Sequence, residues 1–367
     1  MKITIITNLY PPFVRGGAEY LAYQVAGECV KQGHTVSVVT TVPWQVVRSL
    51  QPQFNIEDAV RVYRLYPLNF YHYLSAGQMP VWWRFCWQVI NMFNLSAALV
   101  IKNILKIEKP DIVISFNLMG VSFLVPRVVS KLKIKHVHTL HDVQLLHPSG
   151  LFLWGESNSS LVQRIYQKIT SWLFKGVSMV VSPSQWLLGE HLSAGFFAKS
   201  LQQILHNPVP QVAQPYHVKK PHTTLKVTYF GQFEKHKGVF LLIEAFNKIK
   251  KKYPETELLL SGDGSVIKQA RWQAVGNNNI KFLGWPGDEQ VDKLLFFSHC
   301  LVYPSLVYEN CPNAIQKALA VGLPVLASDL GGIPELLNQN AGILFKPADV
   351  NDLAEKMEWL IKNNNNL

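Results

Sequence analysis

A chain of two doubly wound α/β domains is predicted by three observations. Short apolar, strand-like runs alternate with helical patterns, the alternation is run through twice, and a proline-dense segment separates the two series. Buried strands with helices between them are the pattern of parallel sheets built from βαβ units. At 367 residues the chain also exceeds what one hydrophobic core usually serves, which favours about two domains.

The first series comprises "KITIIT", "TVSVVT", "DIVISF", "HVHTL", "SMVVSP" and "QILHN"; the second comprises "LKVTYFG", "ELLLSGDG", "IKFLG", "CLVYPS", "PVLASD" and "AGILF". Between them "NPVPQVAQPYHVKKPHTTL" carries Pro208, Pro210, Pro215 and Pro221, a density that breaks helix and interior strand alike. The expected boundaries are 1–206 for the first domain, 207–224 for a Pro-rich linker and 225–367 for the second domain. Sheets of this kind take ligands at the carboxyl ends of their strands. A cleft between the domains is the expected site.

Hydrophobic residues at 48% against 16% charged exclude a disordered chain. Cys29, Cys86, Cys300 and Cys311 are far apart, with no Cys-x-x-Cys pair, which suits buried thiols in a reducing compartment. The start, "MKITIITNLYPP", reads as a strand running into a Pro-Pro turn rather than as a signal peptide, so a cytoplasmic location is expected. Charge is uneven: residues 1–206 hold 18 Lys+Arg against 9 Asp+Glu, and residues 207–367 hold 17 against 15. A basic first half points to an anionic surface or ligand. Nucleic acid is not expected, because the lysines are dispersed rather than clustered with aromatics.

Residues 81–101, "VWWRFCWQVINMFNLSAALVI", are apolar except for Arg84, Gln88, Asn91 and Asn94 at helical spacing. One polar stripe on an apolar helix argues against a spanning segment. Two readings stay open, a helix packed on the first sheet and a helix at a membrane interface with Trp82, Trp83 and Trp87 beside Arg84.

Three turns carry candidate chemistry. In "VRGGAEYLAYQ" Gly16 and Gly17 make a tight turn, with a helix starting near Glu19, and helix starts favour anions. In "YFGQFEKHKGVFLL" a strand ends at Gly231, followed by Lys235 and Lys237, plausible phosphate ligands. In "PSLVYENCPNAIQKALAVG" a strand exit, Glu309 and Pro312 precede a helix with free amides, and "SDLGGIPEL" repeats the device with Gly331, Gly332 and Glu335. Lys317 is expected two helical turns after Glu309, about 12 Å along the axis. His136, His138, His141 and His147 come from strand, turn and loop, an unpromising origin for a metal site.

Together, "YPPFVRGGAE", "TLHD", "SPSQWLLGEHLSAGF", "LHNPV", "GQFEKHKGV", "SGDG", "FLGW", "VYPSLVYENCPNAIQKALAVGLPVLASDLGGIPEL" and "AGILF" resemble the family-four retaining glycosyltransferases, and the resemblance covers nearly the whole chain. It implies the GT-B fold, two Rossmann-like domains facing a central cleft. It also implies retaining transfer of a sugar from a nucleotide-sugar donor to a glycan or lipid-linked acceptor, with the donor on the second domain and the acceptor on the first. Carried over to this sequence, Glu309 would hold sugar hydroxyls and His141 the donor sugar. Lys237 would meet the diphosphate, as would Gly17 from across the cleft and the amides around Asn313 and Ala314. Gly16, Gly231, Gln232, Trp285, Pro286, Asn310 and Cys311 would complete the donor site. No metal or other cofactor is implied, in keeping with the absence of any Asp-x-Asp.

Three positions depart from the pattern. Lys317 stands where the family's Glu-x7-Glu motif has a ribose-holding glutamate; an ammonium donates hydrogen bonds but accepts none. Gln232 stands where many members have an arginine. The chain stops at "EWLIKNNNNL", where members usually continue into a closing helix. A non-catalytic scaffold with a decayed donor site is therefore the alternative, and a sugar-nucleotide epimerase on the same fold is a further one.

Overall fold

The computed structural model describes residues 1–14, 16–44, 51–156, 160–208, 225–285, 287–337 and 341–363. The chain forms two compact units, Met1–Leu151 with Ser157–Asn207, and Phe152–Glu156 with Pro208–Leu367. Residues 209–224 of the expected linker lie outside the described residues.

In the first unit the order is β1 (Lys2–Ile6), α1 (Gly17–Lys31), β2 (Thr35–Thr41), β3 (Gln53–Glu57), β4 (Val60–Leu65), α2 (Val81–Met92), α3 (Leu95–Glu108) and β5 (Ile112–Ser115). It continues with α4 (Val125–Lys131), β6 (Lys135–Thr139), α5 (Leu161–Leu173), β7 (Met179–Ser182), α6 (Gln185–Ser193) and β8 (Leu201–Ile204). The eight strands run β3-β4-β2-β1-β5-β6-β7-β8 and are parallel except for β3. Ile3, Ile5, Val36, Val38 and Phe116 pack with Ala22 and Ala26 of α1, as the alternation of apolar runs requires.

The β3–β4 hairpin was not among the expected strands. β3 is a half-exposed edge strand, and its turn uses Asp58 and Ala59, both at positive φ (50° and 62°), without the glycine that usually advertises such a turn.

The second unit runs β9 (Lys226–Phe230), α7 (Val239–Lys250), β10 (Glu257–Ser261), α8 (Ile267–Gln273), β11 (Ile280–Gly284), α9 (Asp288–Phe297), β12 (Cys300–Tyr303) and α10 (Asn313–Ala320). β13 (Val325–Ser328), α11 (Ile333–Leu336), β14 (Gly342–Phe345) and α12 (Val350–Lys362) complete it. Its six strands, β11-β10-β9-β12-β13-β14, are all parallel. Two apolar clusters hold it, one joining Val227, Leu258 and Leu260 to α7 and α12, the other joining Leu301, Val325 and Ala327 to α10.

The helix read from residues 81–101 is two helices. Asn94 separates them, its Oδ1 accepting from the Ala97 amide at 3.0 Å as the cap of α3. Most of the polar stripe faces inward: Gln88, Asn91 and Asn94 are buried, whereas Arg84 is exposed along with Trp82, Phe85 and Val89. Trp87, expected at an interface, is also buried and donates through its indole N–H to the Tyr71 carbonyl at 2.8 Å.

Candidate active site

In the second unit, β9 and β12 deliver two loops to one place. After β9, a 3₁₀ turn at Lys235–Lys237 leads through Gly238 into α7. Gly238 has φ of 76°, and a Cβ there would stand 1.8 Å from the Pro304 carbonyl oxygen. Only glycine allows both the left-handed backbone and this approach. The Leu306 amide then donates to the His236 carbonyl at 2.8 Å, tying the loops together.

That join brings Lys237 onto Glu309, Nζ donating to Oε1 at 2.6 Å. The Tyr303 and Ser305 hydroxyls donate to the same oxygen, each at 3.0 Å. Burial pushes the Glu309 carboxyl up, but the Lys237 charge and the three hydrogen bonds outweigh it and leave the pKa below the ordinary value. The same burial and the neighbouring carboxylate push the Tyr303 hydroxyl far up, so it stays a donor. The result is a fixed anion with its neutralising cation already in contact.

Gly331 supports Glu309 from below. Its φ is 63°, a Cβ would come within 2.3 Å of the Glu309 carbonyl oxygen, and the next amide, Gly332, donates to that oxygen at 2.7 Å. This corrects one expectation: Glu309 is not on the helix with Lys317. Pro312, extended at φ −64° and ψ 122°, is the residue before α10, and Glu309 lies upstream in a loop whose amide bonds to Val307. The two-turn spacing therefore does not apply. Lys317 is half-buried on α10.

The start of α10 has no side-chain cap, and the first amides of any helix, here those of Asn313 and Ala314, have no acceptor within it. Gly231 closes β9 with its amide on the Ser261 carbonyl at 3.0 Å, and Gln232 is exposed, its carbonyl accepting from Tyr229 at 2.7 Å. Asn310 caps its own loop, Oδ1 accepting from the Cys311 amide at 2.6 Å, and Cys311 is buried. Trp285 is exposed at the end of β11. Pro286 lies outside the described residues.

A segment distant in sequence completes this loop. Leu153 forms an antiparallel bridge with Val307, the Trp154 amide donates to Leu306 at 2.8 Å, and the Tyr308 amide donates to Phe152 at 3.0 Å. Phe152–Glu156 thus belongs to the second unit, although it is numbered within the expected first domain. Trp154 lies half-exposed beside Tyr308, ring centroids 6.4 Å apart.

In the first unit, the Gly16 amide donates to Glu19 Oε2 at 2.9 Å. The anion at this helix start is therefore the chain's own buried Glu19. Gly16 is extended, at φ −159°, rather than in a tight turn, and the exposed Gly17 opens α1. His141 follows β6 with its ring stacked on Phe116, centroids 5.4 Å apart, and burial pulls its pKa down to about 4, so the imidazole is neutral near pH 7. Next to it Asp142 accepts from the Gln144 amide at 2.8 Å. Burial, with the charge of Glu19 adding, pushes the Asp142 carboxyl up to about 7. His136 and His138 are buried on one hydroxyl, Ser115 Oγ lying 2.7 and 2.8 Å from their rings. Among the described residues no group of three or more His, Cys, Asp or Glu is arranged to hold a metal.

Sequence reasoning missed Tyr303, Ser305, Glu19, Asp142 and the 152–156 segment. The first two stand in "VYPS", where a strand exit with two hydroxyls upstream of Glu309 was a usable signal.

Family models match both halves of the chain. The model described as Glycosyl transferases group 1 matches residues 213–367, and the Glycosyl transferase 4-like domain matches residues 16–206. The chain belongs to the family-four, group 1 glycosyltransferases. Two relatives span nearly all of this glycosyltransferase. An uncharacterized 42.6 kDa protein in the cps region of Klebsiella pneumoniae is 26% identical, covering 96% of this chain and 91% of its own. Glycogen synthase of Mycobacterium tuberculosis is 24% identical, covering 96% and 84%. Anabaena Alr3699/HepE, solved in complex with UDP, superposes with a TM-score of 0.68 at 19% identity over 99% of this chain and 90% of its own. That likeness shows the fold, GT-B.

Proposed function

We propose that this glycosyltransferase retains the anomeric configuration, moving a sugar from a nucleoside-diphosphate donor on the second unit to a glycan or lipid-linked acceptor in polysaccharide or glycolipid synthesis. The observation that carries the reading is the Lys237–Glu309 pair beside the uncapped start of α10. A cation and unpaired helix amides are what a departing diphosphate needs, and groups held in place before the reaction stabilise charge most effectively. Glu309, kept anionic, can accept only hydrogen bonds from sugar hydroxyls. His141, on the first unit, is kept neutral by burial and so can bond a sugar hydroxyl as an uncharged group.

In this mechanism the bond from the anomeric carbon to the phosphate oxygen breaks as the acceptor oxygen bonds to the same face. The acceptor's proton passes to the leaving phosphate, so no strong general base is required. Lys237 and the α10 amides supply the positive charge, and a metal is not needed. The test is a screen of nucleotide sugars for transfer or hydrolysis, with and without a chelator, and determination of the product anomer by NMR. Turnover that retains configuration and survives the chelator is the expected result. A protein that binds no nucleoside diphosphate and hydrolyses no nucleotide sugar would be a scaffold instead.

A further inference from the structure

Helices α2 and α5 are amphipathic in the reverse of the usual sense. On α2 the exposed residues Trp82, Phe85, Val89 and Phe93 follow at three- and four-residue intervals and share one face. On α5 the exposed Leu161, Ile165 and Trp172 likewise share one face, and the buried positions are Gln163, Tyr166, Thr170 and Leu173. The inward polar groups are bonded: Gln88 donates to Tyr166 Oη at 2.9 Å, Tyr166 donates to the Gln144 carbonyl at 2.6 Å, and Thr170 donates to the Leu145 carbonyl at 2.8 Å. The first of these bonds makes the two helices neighbours. Neither can rotate its apolar face inward without stripping these groups of partners, which costs roughly 1–3 kcal/mol for each.

A large outward apolar face on a folded unit is a binding surface, and its charge identifies the occupant. Residues 59–107 and 157–189, which contain these helices, include no Asp or Glu. Arg164 and Lys168 stand on the exposed side of α5 beside Leu161 and Trp172. A second copy of this face would bring those cations against themselves, whereas an anionic bilayer neutralises the cations and takes up the rings. We infer that α2 and α5 seat the first unit on an anionic membrane surface, lying in the interface rather than crossing it. Trp82–Glu108 is long and apolar enough to cross a membrane, but it breaks at Asn94 and keeps Gln88, Asn91, Ala97 and Ile101 inside the unit. α5 packs on the loop that follows His141 and Asp142, through Tyr166 and Thr170 on the Gln144 and Leu145 carbonyls, so the surface would present a lipid-borne acceptor to the unit that carries His141.

The test reads binding without turnover and so stands apart from the proposed activity. The full-length protein is centrifuged with vesicles of phosphatidylcholine alone and of phosphatidylcholine with phosphatidylglycerol, at low and high salt. Binding to the anionic vesicles, weakened by salt, is expected. The doubly substituted Phe85→Ser, Ile165→Ser protein should partition at least about tenfold less. Arg164→Glu with Lys168→Glu should abolish the preference for anionic lipid. Unchanged melting temperature and circular dichroism in these variants shows that they are folded. Equal sedimentation with and without vesicles overturns the inference, as does full binding by the serine variant. A dimer that dissociates in that variant would assign the face to a second copy and overturn it too.

Discussion

The two units handle polarity in opposite ways. In the first, buried positions include His136, His138, His191, Gln88, Asn91, Gln163 and Thr170, while aromatic and aliphatic side chains of α2 and α5 face outward. In the second, two apolar clusters fill most of the space between sheet and helices, with Thr228, Ser298, His299, Gln316 and Ser328 also buried, and the side chains of the candidate site, Tyr303, Ser305, Lys237 and Glu309, converge where β9 and β12 end. One unit has a polar network inside and a greasy exterior; the other concentrates its charge at a single strand exit. On the readings proposed above, the difference separates two jobs, holding a surface and holding a diphosphate.

Acid should break the comparison most strongly. Burial lowers the pKa of His136 to about 3 and that of His191 to about 4, so the folded first unit holds them neutral. Above the unfolded value near 6.5 neither state is charged and stability is at its full level. Below it the unfolded chain gains protons first, and each histidine costs up to about 1.4 kcal/mol per pH unit until its folded pKa is reached. Hydrogen exchange between pH 7 and pH 4 should therefore show β6 and α6 losing protection before β9 and β12. Simultaneous loss would mean that the histidines do not set the order.

Next in size is Lys237→Ala. It removes the cation that faces Glu309 and should lower kcat/KM about 100-fold, roughly 2.7 kcal/mol of transition-state stabilisation. Steady-state rates with the preferred nucleotide sugar measure this, with circular dichroism as the folding control.

Gln88→Leu tests the inward polarity of α2. Hydrophobic replacement would stabilise an ordinary core position, yet here it deprives Tyr166 and Asn91 of a partner and should cost about 1–3 kcal/mol in urea unfolding. Lys317→Glu, restoring the family's ribose acceptor on α10, should raise nucleoside-diphosphate affinity about tenfold, near 1.4 kcal/mol, by calorimetry. Weaker binding would place the native ammonium at the phosphates. The smallest effect belongs to Phe85→Ser, which should change stability by no more than about 0.5 kcal/mol because the ring is 64% exposed. A larger loss would mean that α2 faces the other way.

Both sheets were largely legible in the sequence because buried parallel strands are continuous apolar runs, and each of the twelve quoted runs overlaps a strand, "QILHN" only at the end of the exposed β8. The β3–β4 hairpin was not, since an edge strand needs no such run. Hydropathy gave the period of α2 but not its direction: a stripe of Gln88, Asn91 and Asn94 on an apolar helix does not say which side is wet. Lys237 and Glu309 were read from their places after strand ends and took their roles from the family resemblance, yet their 2.6 Å contact depends on Gly238 letting two loops meet, a close approach that no local pattern encodes. The eight-residue step from Glu309 to Lys317 was counted in helical turns, although a helix that starts at or just after Pro312 leaves Glu309 upstream in the loop either way.

The segment Phe152–Glu156 has a consequence for how such enzymes can be recombined. Exchange of halves at the proline-rich stretch, whether by gene fusion or by laboratory chimera, would join a new second unit to a foreign 152–156, and the Leu153–Val307 bridge would have to re-form between sequences with no shared history. The chain is thus less modular than its two sheets suggest. A donor unit taken from another enzyme would have to travel with its own short strand, excised from the middle of that enzyme's first half, or its equivalent of the Glu309 loop would lose one of its walls.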